Sequence, residues 1–465
     1  MRCARIHRLA IAGAVIGACG AGATSAPGQD AQYWSIQYGP AGQLLGGQVV
    51  GSSRDLSATY YDPGGLALAE NPEFLLSVQG FELQRQSFAP VEGGPFLNQS
   101  QTSFDAFPGF FAFAFPEGWL GRRTRLAFSV LTRQQYNGRI DQRFAGRESA
   151  SSSGLEILFD ERMSETWGGL TLSHRVSDRL GLGVTLYGVY RGQRTRREQS
   201  FQQVGEDGSG VSALAVDDFD YSHWRALAKL GAAWEGRAVR LGFAVTTPSA
   251  ALFGSGNLGY TRSATGVDLN GDGRADDLLV NGLDEGIDSR YESSWAVAAG
   301  AAWRRGSLQL HTSAEWFSPV SFTVLQGTPN ATTGQPISVV QDLRSVLNAG
   351  VGVEYWPGGA SVSYGTASDR TVVYGAFATD FSASPSVLEN EASSVNMDLY
   401  HLTGGVGFSL GSSRFSLGVD YAFGSKERQI GLGGLPSELS VIAPQLVRVH
   451  ASRWVFALGY LFGKS

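Results

Sequence analysis

Scanned for apolar and polar residues that alternate with a period of two, the chain breaks into fourteen segments whose connections alternate between short and long. The segments are 73–85, 103–115, 124–137, 158–175, 179–194, 219–235, 237–247, 288–304, 307–318, 341–355, 359–370, 396–410, 412–425 and 448–462. Links after the even-numbered segments are short (116–123, 176–178, 236, 305–306, 356–358 and 411). Those after the odd-numbered segments are long (86–102, 138–157, 195–218, 248–287, 319–340, 371–395 and 426–447). This sorting predicts one rim of tight turns and one rim of large loops, as in an up-and-down transmembrane β-barrel. A Greek-key sandwich mixes connection lengths at both ends and has no reason to sort them. Most segments also exceed the roughly 9 to 11 residues that a tilted strand needs to cross a bilayer.

Composition agrees with a barrel rather than a helical membrane protein. Apolar residues make up 43% of the 465, while glycine, at 62 residues, and aromatics, at 11%, stand out. A barrel hides its apolar face by alternation and need not be hydrophobic on average. In the segment 412–425, Phe415, Leu417, Val419, Tyr421 and Phe423 share one face, and Ser416, Gly418, Asp420, Ala422 and Gly424 the other. The last segment repeats this with Trp454, Phe456, Leu458, Tyr460 and Phe462. Aromatics mark the ends of the apolar face, as an interfacial girdle would. The net charge of −6 gives no reason to expect a nucleic-acid partner.

Residues 1–23 read as a secretory signal: Arg2, Arg5 and Arg8 precede an apolar core from Leu9 to Ile16, and Ala21-Gly22-Ala23 offers a small-residue cleavage site. Ala26 is a second candidate site, disfavoured by Pro27. Both cysteines, Cys3 and Cys19, lie in this stretch, so disulfide chemistry is excluded from the mature chain. Ile16-Gly17-Ala18-Cys19 also resembles a lipoprotein box, an anchor that a barrel does not need.

Between the signal and the first segment, the stretch 51–68 is rich in Gly, Ser and Asp, and Asp62-Pro63-Gly64-Gly65 dictates a sharp bend. The run from Gly46 to Leu68 resembles the N-terminal signature of the long-chain fatty acid outer-membrane transporter family (FadL/TodX-like barrels), with Asp62 where the family has Asn and Gly64 where it has Ala. Pro108-Gly109-Phe110 and Thr246-Thr247-Pro248 are similar to further family segments, and the terminal Tyr460-Leu461-Phe462 resembles the aromatic C-terminal signal of outer-membrane barrels. The resemblance implies a barrel of fourteen strands over 73–465 with a plug formed by 24–72, whose motif is Tyr61, Asp62, Pro63, Gly64, Gly65 and Leu66. It further implies passive uptake of hydrophobic compounds, such as long-chain fatty acids or aromatic hydrocarbons, through an apolar pocket in the lumen. Release would follow a shift of the plug or use a gap in the wall. The expected surroundings are outer-membrane lipid and lipopolysaccharide, insertion is by the barrel-assembly machinery, the protein is a monomer, and its N-terminus is periplasmic.

Two loop features invite chemistry. Asp268, Asn270, Asp272 and Asp276, with the Arg274 backbone carbonyl and a bend at Gly273, match the oxygen spacing of a calcium loop, although Leu279 stands where an EF-hand has its bidentate Glu. A solvated acidic Asx-turn is the other reading, and bound Ca²⁺ would be structural. Apolar residues in the outer loops, Val211, Leu214, Leu252, Phe253, Leu278 and Leu279, form either a capture site for hydrophobic substrates, as the resemblance implies, or a mutually packed cap. No histidine has metal-site spacing or a recognisable nucleophile beside it, so an enzyme is not expected; His311 and Glu315 share strand parity with Gln309 and Ser313 and should face the lumen. A general porin and a structural or secretion-partner barrel are the alternatives, the small inward residues arguing mildly against the porin.

Overall fold

The computed structural model describes residues 24–25, 32–69, 72–90, 99–116, 119–148, 151–205, 208–267, 274–329, 336–357, 371–384, 397–430 and 445–463. The expected signal and the loop residues Asp268, Asn270 and Asp272 lie outside them. Fourteen strands close into an antiparallel barrel: β1 (Pro72–Pro90), β2 (Gln99–Ala114), β3 (Thr124–Glu148), β4 (Ser151–Ser177), β5 (Leu180–Val204), β6 (Gly210–Glu235) and β7 (Val239–Thr246) form one half. The other half is β8 (Ala296–Arg305), β9 (Leu308–Phe317), β10 (Val346–Tyr355), β11 (Val372–Asp380), β12 (Leu399–Leu410), β13 (Ser413–Ile430) and β14 (Gln445–Gly463). Each strand pairs with its sequence neighbour, and β14 closes on β1 through pairs such as Leu461↔Leu75.

Several segments lie elsewhere than their periodicity predicts. The eleventh strand occupies Val372–Asp380, within a stretch read as a long link, while the expected 359–370 lies outside the described residues. The connection before it is therefore not the short 356–358 turn. Within the stretches 138–157 and 195–218, read as loops, 138–148, 151–157, 195–204 and 210–218 are strand: β3 runs to Glu148 opposite Ser151, and β5 to Val204 opposite Gly210. Both faces of these extensions are rich in polar residues, so apolar alternation cannot reveal them. The tenth strand starts at Val346 rather than 341, because Pro336–Leu343 pairs with Val320–Pro329 in a separate outer hairpin. The eighth starts at Ala296 rather than 288, because Asp276–Asp288 pairs with Ala250–Val267, which continues the sheet beside the outer half of β6.

The apolar face points outward, with Leu230, Phe243, Leu402, Leu417, Phe456 and Leu458 exposed on the wall. Aromatic residues bound this band. Tyr190, Trp224, Trp295, Trp316, Tyr400 and Trp454 stand at the loop side, and Trp234, Trp303 and Tyr355 at the turn side. From Trp224 to Trp234, ten residues of strand give about 33 Å, or about 25 Å along the barrel axis at a tilt near 40°. That is the thickness of an outer-membrane apolar belt, and the barrel is an outer-membrane one.

Inside lies the segment 32–69, with three short helices: α1 (Pro40–Leu44), α2 (Ala58–Tyr61) and α3 (Pro63–Leu66). Leu44, Leu45, Leu56 and Leu66 are fully buried and join one core with Leu75, Phe110 and Tyr187 of the wall. Each such leucine contributes about 1.5–3 kcal/mol relative to exposure. Glycines of the wall form the seat for this segment. A Cβ on Gly64 would lie 2.6 Å from the Gly181 carbonyl oxygen, one on Gly51 2.6 Å from that of Gly300, and one on Gly231 2.6 Å from Pro63 Cδ. Backbone therefore packs directly on backbone where the inner segment meets β5, β6 and β8.

Candidate functional site

Asp62 ends α2 and caps α3, its Oδ1 accepting from the Gly64 N–H at 3.0 Å, with Pro63 in the first helical position. Its Oδ2 has no hydrogen-bond partner among the described residues, and burial pushes the carboxyl up to about 7 against the opposing pull of the Arg54 guanidinium. The Tyr61 hydroxyl accepts from the Tyr38 N–H at 2.8 Å and donates to Gln37 at 2.9 Å. Gly64, Gly65 and Leu66 then sit against the wall, and the Thr59 carbonyl accepts from Thr185 at 2.9 Å and Tyr187 at 2.8 Å. At the start of the segment, Asp380 accepts from the Tyr33 and Trp34 N–H groups at 3.0 and 2.9 Å and from the Ser35 hydroxyl at 2.8 Å. The six motif residues are thus assembled in one place, clamped between β5 and β6.

The lumen above this motif is charged and aromatic, where the family resemblance implies an apolar pocket. Side chains that face inward from a membrane barrel meet protein and water, so polar groups accumulate there. Glu165 receives Arg225 at 2.7 Å, Arg191 at 3.1 Å and the Trp167 indole N–H at 2.6 Å. Glu315 receives the Trp34 indole N–H at 2.9 Å, with the Lys229 ammonium at 3.9 Å. Arg133 donates to the Tyr33 carbonyl at 2.7 Å and lies about 6 Å from the ring centres of Tyr33, Tyr60 and Trp167. Glu165, Glu315, Arg133, Arg225 and Lys229 line a partly open cavity of about 60 Å³. None of these cations was singled out from the sequence. Their common odd numbering on β3, β5 and β6, in phase with neighbouring inward residues, is the signal that could have found them. His311 and Glu315 do face the lumen, with Gln309 and Ser313; His311 lies 2.9 Å from the Ser52 hydroxyl and 3.3 Å from Glu354.

The wall has a seam. β2 and β3 pair only from Phe110↔Leu131 to Ala114↔Ala127, although β2 begins at Gln99 and β3 continues to Glu148. On their far sides both strands stay paired to the end, through Phe88↔Gln99 and Glu148↔Ser151. The seam opens level with the outer aromatic row, since Thr132 pairs with Thr166, Thr166 with Tyr190, and Tyr190 with Trp224. At its base the Thr132 carbonyl accepts from the Tyr38 hydroxyl at 2.9 Å, so the inner segment satisfies a backbone group that the ladder leaves.

The apolar outer-loop residues do not form one patch. Leu214 and Leu279 flank Ser263 on the outward side of the hairpin sheet, Phe253 packs beside Trp224, and Leu252 bulges beside it. Phe253 and Leu279 are 65% and 73% exposed. Leu278 lies on the opposite side with Ala264 and Ala213, the parity that Val211 shares. Of the candidate calcium ligands, Arg274 and Asp276 are described, at the start of the Asp276–Asp288 strand.

No protein-family model matches the sequence, and no curated protein matches it at a significant level. Solved structures do. A Pseudomonas aeruginosa FadL homologue superposes with a TM-score of 0.60 at 14% identity, covering 93% of this chain and 100% of that one. The Pseudomonas putida toluene transporter TodX gives 0.53 at 12%, covering 92% and 99%, and the Ralstonia pickettii toluene transporter TbuX 0.50 at 13%, covering 92% and 99%. Over nearly its whole length, the chain has the closed fourteen-stranded fold of the FadL homologue and of the TodX and TbuX transporters.

Proposed function

We propose that the protein is a passive outer-membrane channel for hydrophobic small molecules, closed by the segment 32–69 and connected to the outer leaflet through the seam between β2 and β3. The interrupted ladder carries this reading, because a barrel gives up backbone hydrogen bonds in its wall only where protein or water can satisfy them. A side opening level with the outer aromatic row lets an apolar solute pass between the lumen and the outer edge of the membrane's apolar belt. The proposal places the protein as a monomer, inserted by the barrel-assembly machinery. Its extended outer strands stand among lipopolysaccharide headgroups, and calcium stiffens the 268–276 loop. No chemical transformation is assigned to it.

The test closes the seam. Continuation of the ladder past Phe110↔Leu131 would set Gly109 against Thr132, and both cysteines of the sequence precede residue 20. A Gly109→Cys/Thr132→Cys pair bridged by a short bis-thiol linker should cut toluene uptake into vesicles at least tenfold, and cleaving the linker should restore it. Unchanged uptake would refute the lateral path. The charged lumen favours a second reading, a porin for polar solutes. That reading requires a large, steady conductance in planar bilayers, whereas the closed channel should show little.

A further inference from the structure

We propose that the cavity beside the inner segment is a recognition site for an aromatic carboxylate, with Arg225 as the residue that receives the carboxylate. Arg225 lines the cavity, is 1% exposed, lies 4.6 Å from the Tyr291 ring centre, and has its ion pair through Nη2 on Glu165, at 2.7 Å. Its Nε and Nη1 have no hydrogen-bond partner among the described residues. A buried guanidinium with two idle donors is a costly arrangement unless something accepts from it. Charge around the cavity points the same way. Arg133, Arg225 and Lys229 line it, and Arg191 behind them shares Glu165 with Arg225. Against these four cations stand the carboxylates of Glu165, Glu315 and Glu292, the last also paired with Arg290. A bound carboxylate would offset part of this surplus and take a bidentate pair from Arg225.

Size and lining select the rest of the ligand. At about 60 Å³ the cavity is well under the roughly 150 Å³ that encloses benzene in an apolar protein cavity. It therefore holds a carboxylate head and leaves the remainder toward the open side. There the walls carry aromatic rings: Tyr33 stacks on Phe317 with centroids 3.9 Å apart, and Trp167 lines the same space with Tyr60 and Tyr291, whose ring centres have Lys229 at 4.4 Å and Arg225 at 4.6 Å. Ser293 and Ser294 line it as well, and the apolar lining outside the rings is limited to Ala296 and Leu343, so an apolar group longer than one ring finds little favourable surface. One ring on the aromatic faces and one carboxylate on Arg225 fit together.

This inference rests on the uptake reading, and the experiment separates the two. Titrate the full barrel in neutral-detergent micelles with benzoate, benzamide, toluene and oleate, following quenching of tryptophan fluorescence and confirming affinities by calorimetry. Benzoate should bind at least tenfold more tightly than benzamide, toluene or oleate. Arg225→Gln should weaken benzoate at least tenfold, with folding checked separately by heat-modifiable mobility on gels, while Arg225→Lys should retain part of the affinity. Benzoate binding no tighter than benzamide or oleate, or insensitive to Arg225→Gln in a folded barrel, would overturn the inference. Toluene binding and uptake in that case would leave the uptake reading standing. If no ligand binds and none is taken up, both fail; should the Gln variant not fold, the wild-type comparison of benzoate with benzamide decides alone.

Discussion

Asp62 is the group through which pH should act on the inner segment. Its carboxyl is fully buried and lifted from 3.8 to about 7, chiefly by desolvation. When the segment leaves its seat, water surrounds the group and its ordinary value returns. The seated form thus holds its proton over the interval in which the released form loses it. Seating is strongest below about pH 3.8, weakens by about 1.4 kcal/mol per pH unit above that, and stops weakening above about pH 7. The full interval amounts to about 4 kcal/mol, and from pH 5 to 8 about two units of it remain, a change near 100-fold in the released fraction. Hydrogen exchange of the amides of Gly65 and Ala67, which bond to Asp62 and Gly64 carbonyls at 2.8 and 3.2 Å, reports this directly once corrected for the intrinsic rate. Protection should fall about 100-fold across that range in the wild type and stay flat in Asp62→Asn, an uncharged isostere that keeps the cap acceptor. Wild-type protection constant within threefold, or a parallel fall in Asp62→Asn, would refute the burial argument.

Gly183→Val puts a side chain into the space of the Pro63 carbonyl, and overpacking of this kind costs about 1–3 kcal/mol, so the variant should keep a folded barrel on gels but show frequent channel openings in bilayers. Glu165→Gln leaves Arg191 and Arg225 facing each other without their shared carboxylate; a loss of about 3–5 kcal/mol should appear as a lowered unfolding temperature in detergent. Calcium added to chelator-stripped protein should slow proteolysis within 248–287, and Asp272→Asn should abolish that protection while leaving uptake intact.

Local residue patterning was enough for the fold class and the number of crossings. Alternation with period two follows from strand geometry, and a bilayer demands closed strands of a minimum length, so the local pattern carried the information. It also placed Asp62-Pro63-Gly64-Gly65 at a bend and set His311 and Glu315 facing inward, since turn chemistry and parity are local properties. The place of the eleventh strand depends on long-range pairing, because Val372–Asp380 and the stretch 359–370 alternate comparably in sequence and it is pairing such as Val353↔Gly375 that puts Val372–Asp380 in the wall. Tertiary packing decided that glycines of the wall serve as a seat, since close backbone approach joins residues as distant as Gly64 and Gly181. The ion cluster on Glu165 likewise draws on three strands, and each member alone is an ordinary inward polar residue. The seam could not be read at all, because the absence of pairing between β2 and β3 is a relation between two strands that are each well formed.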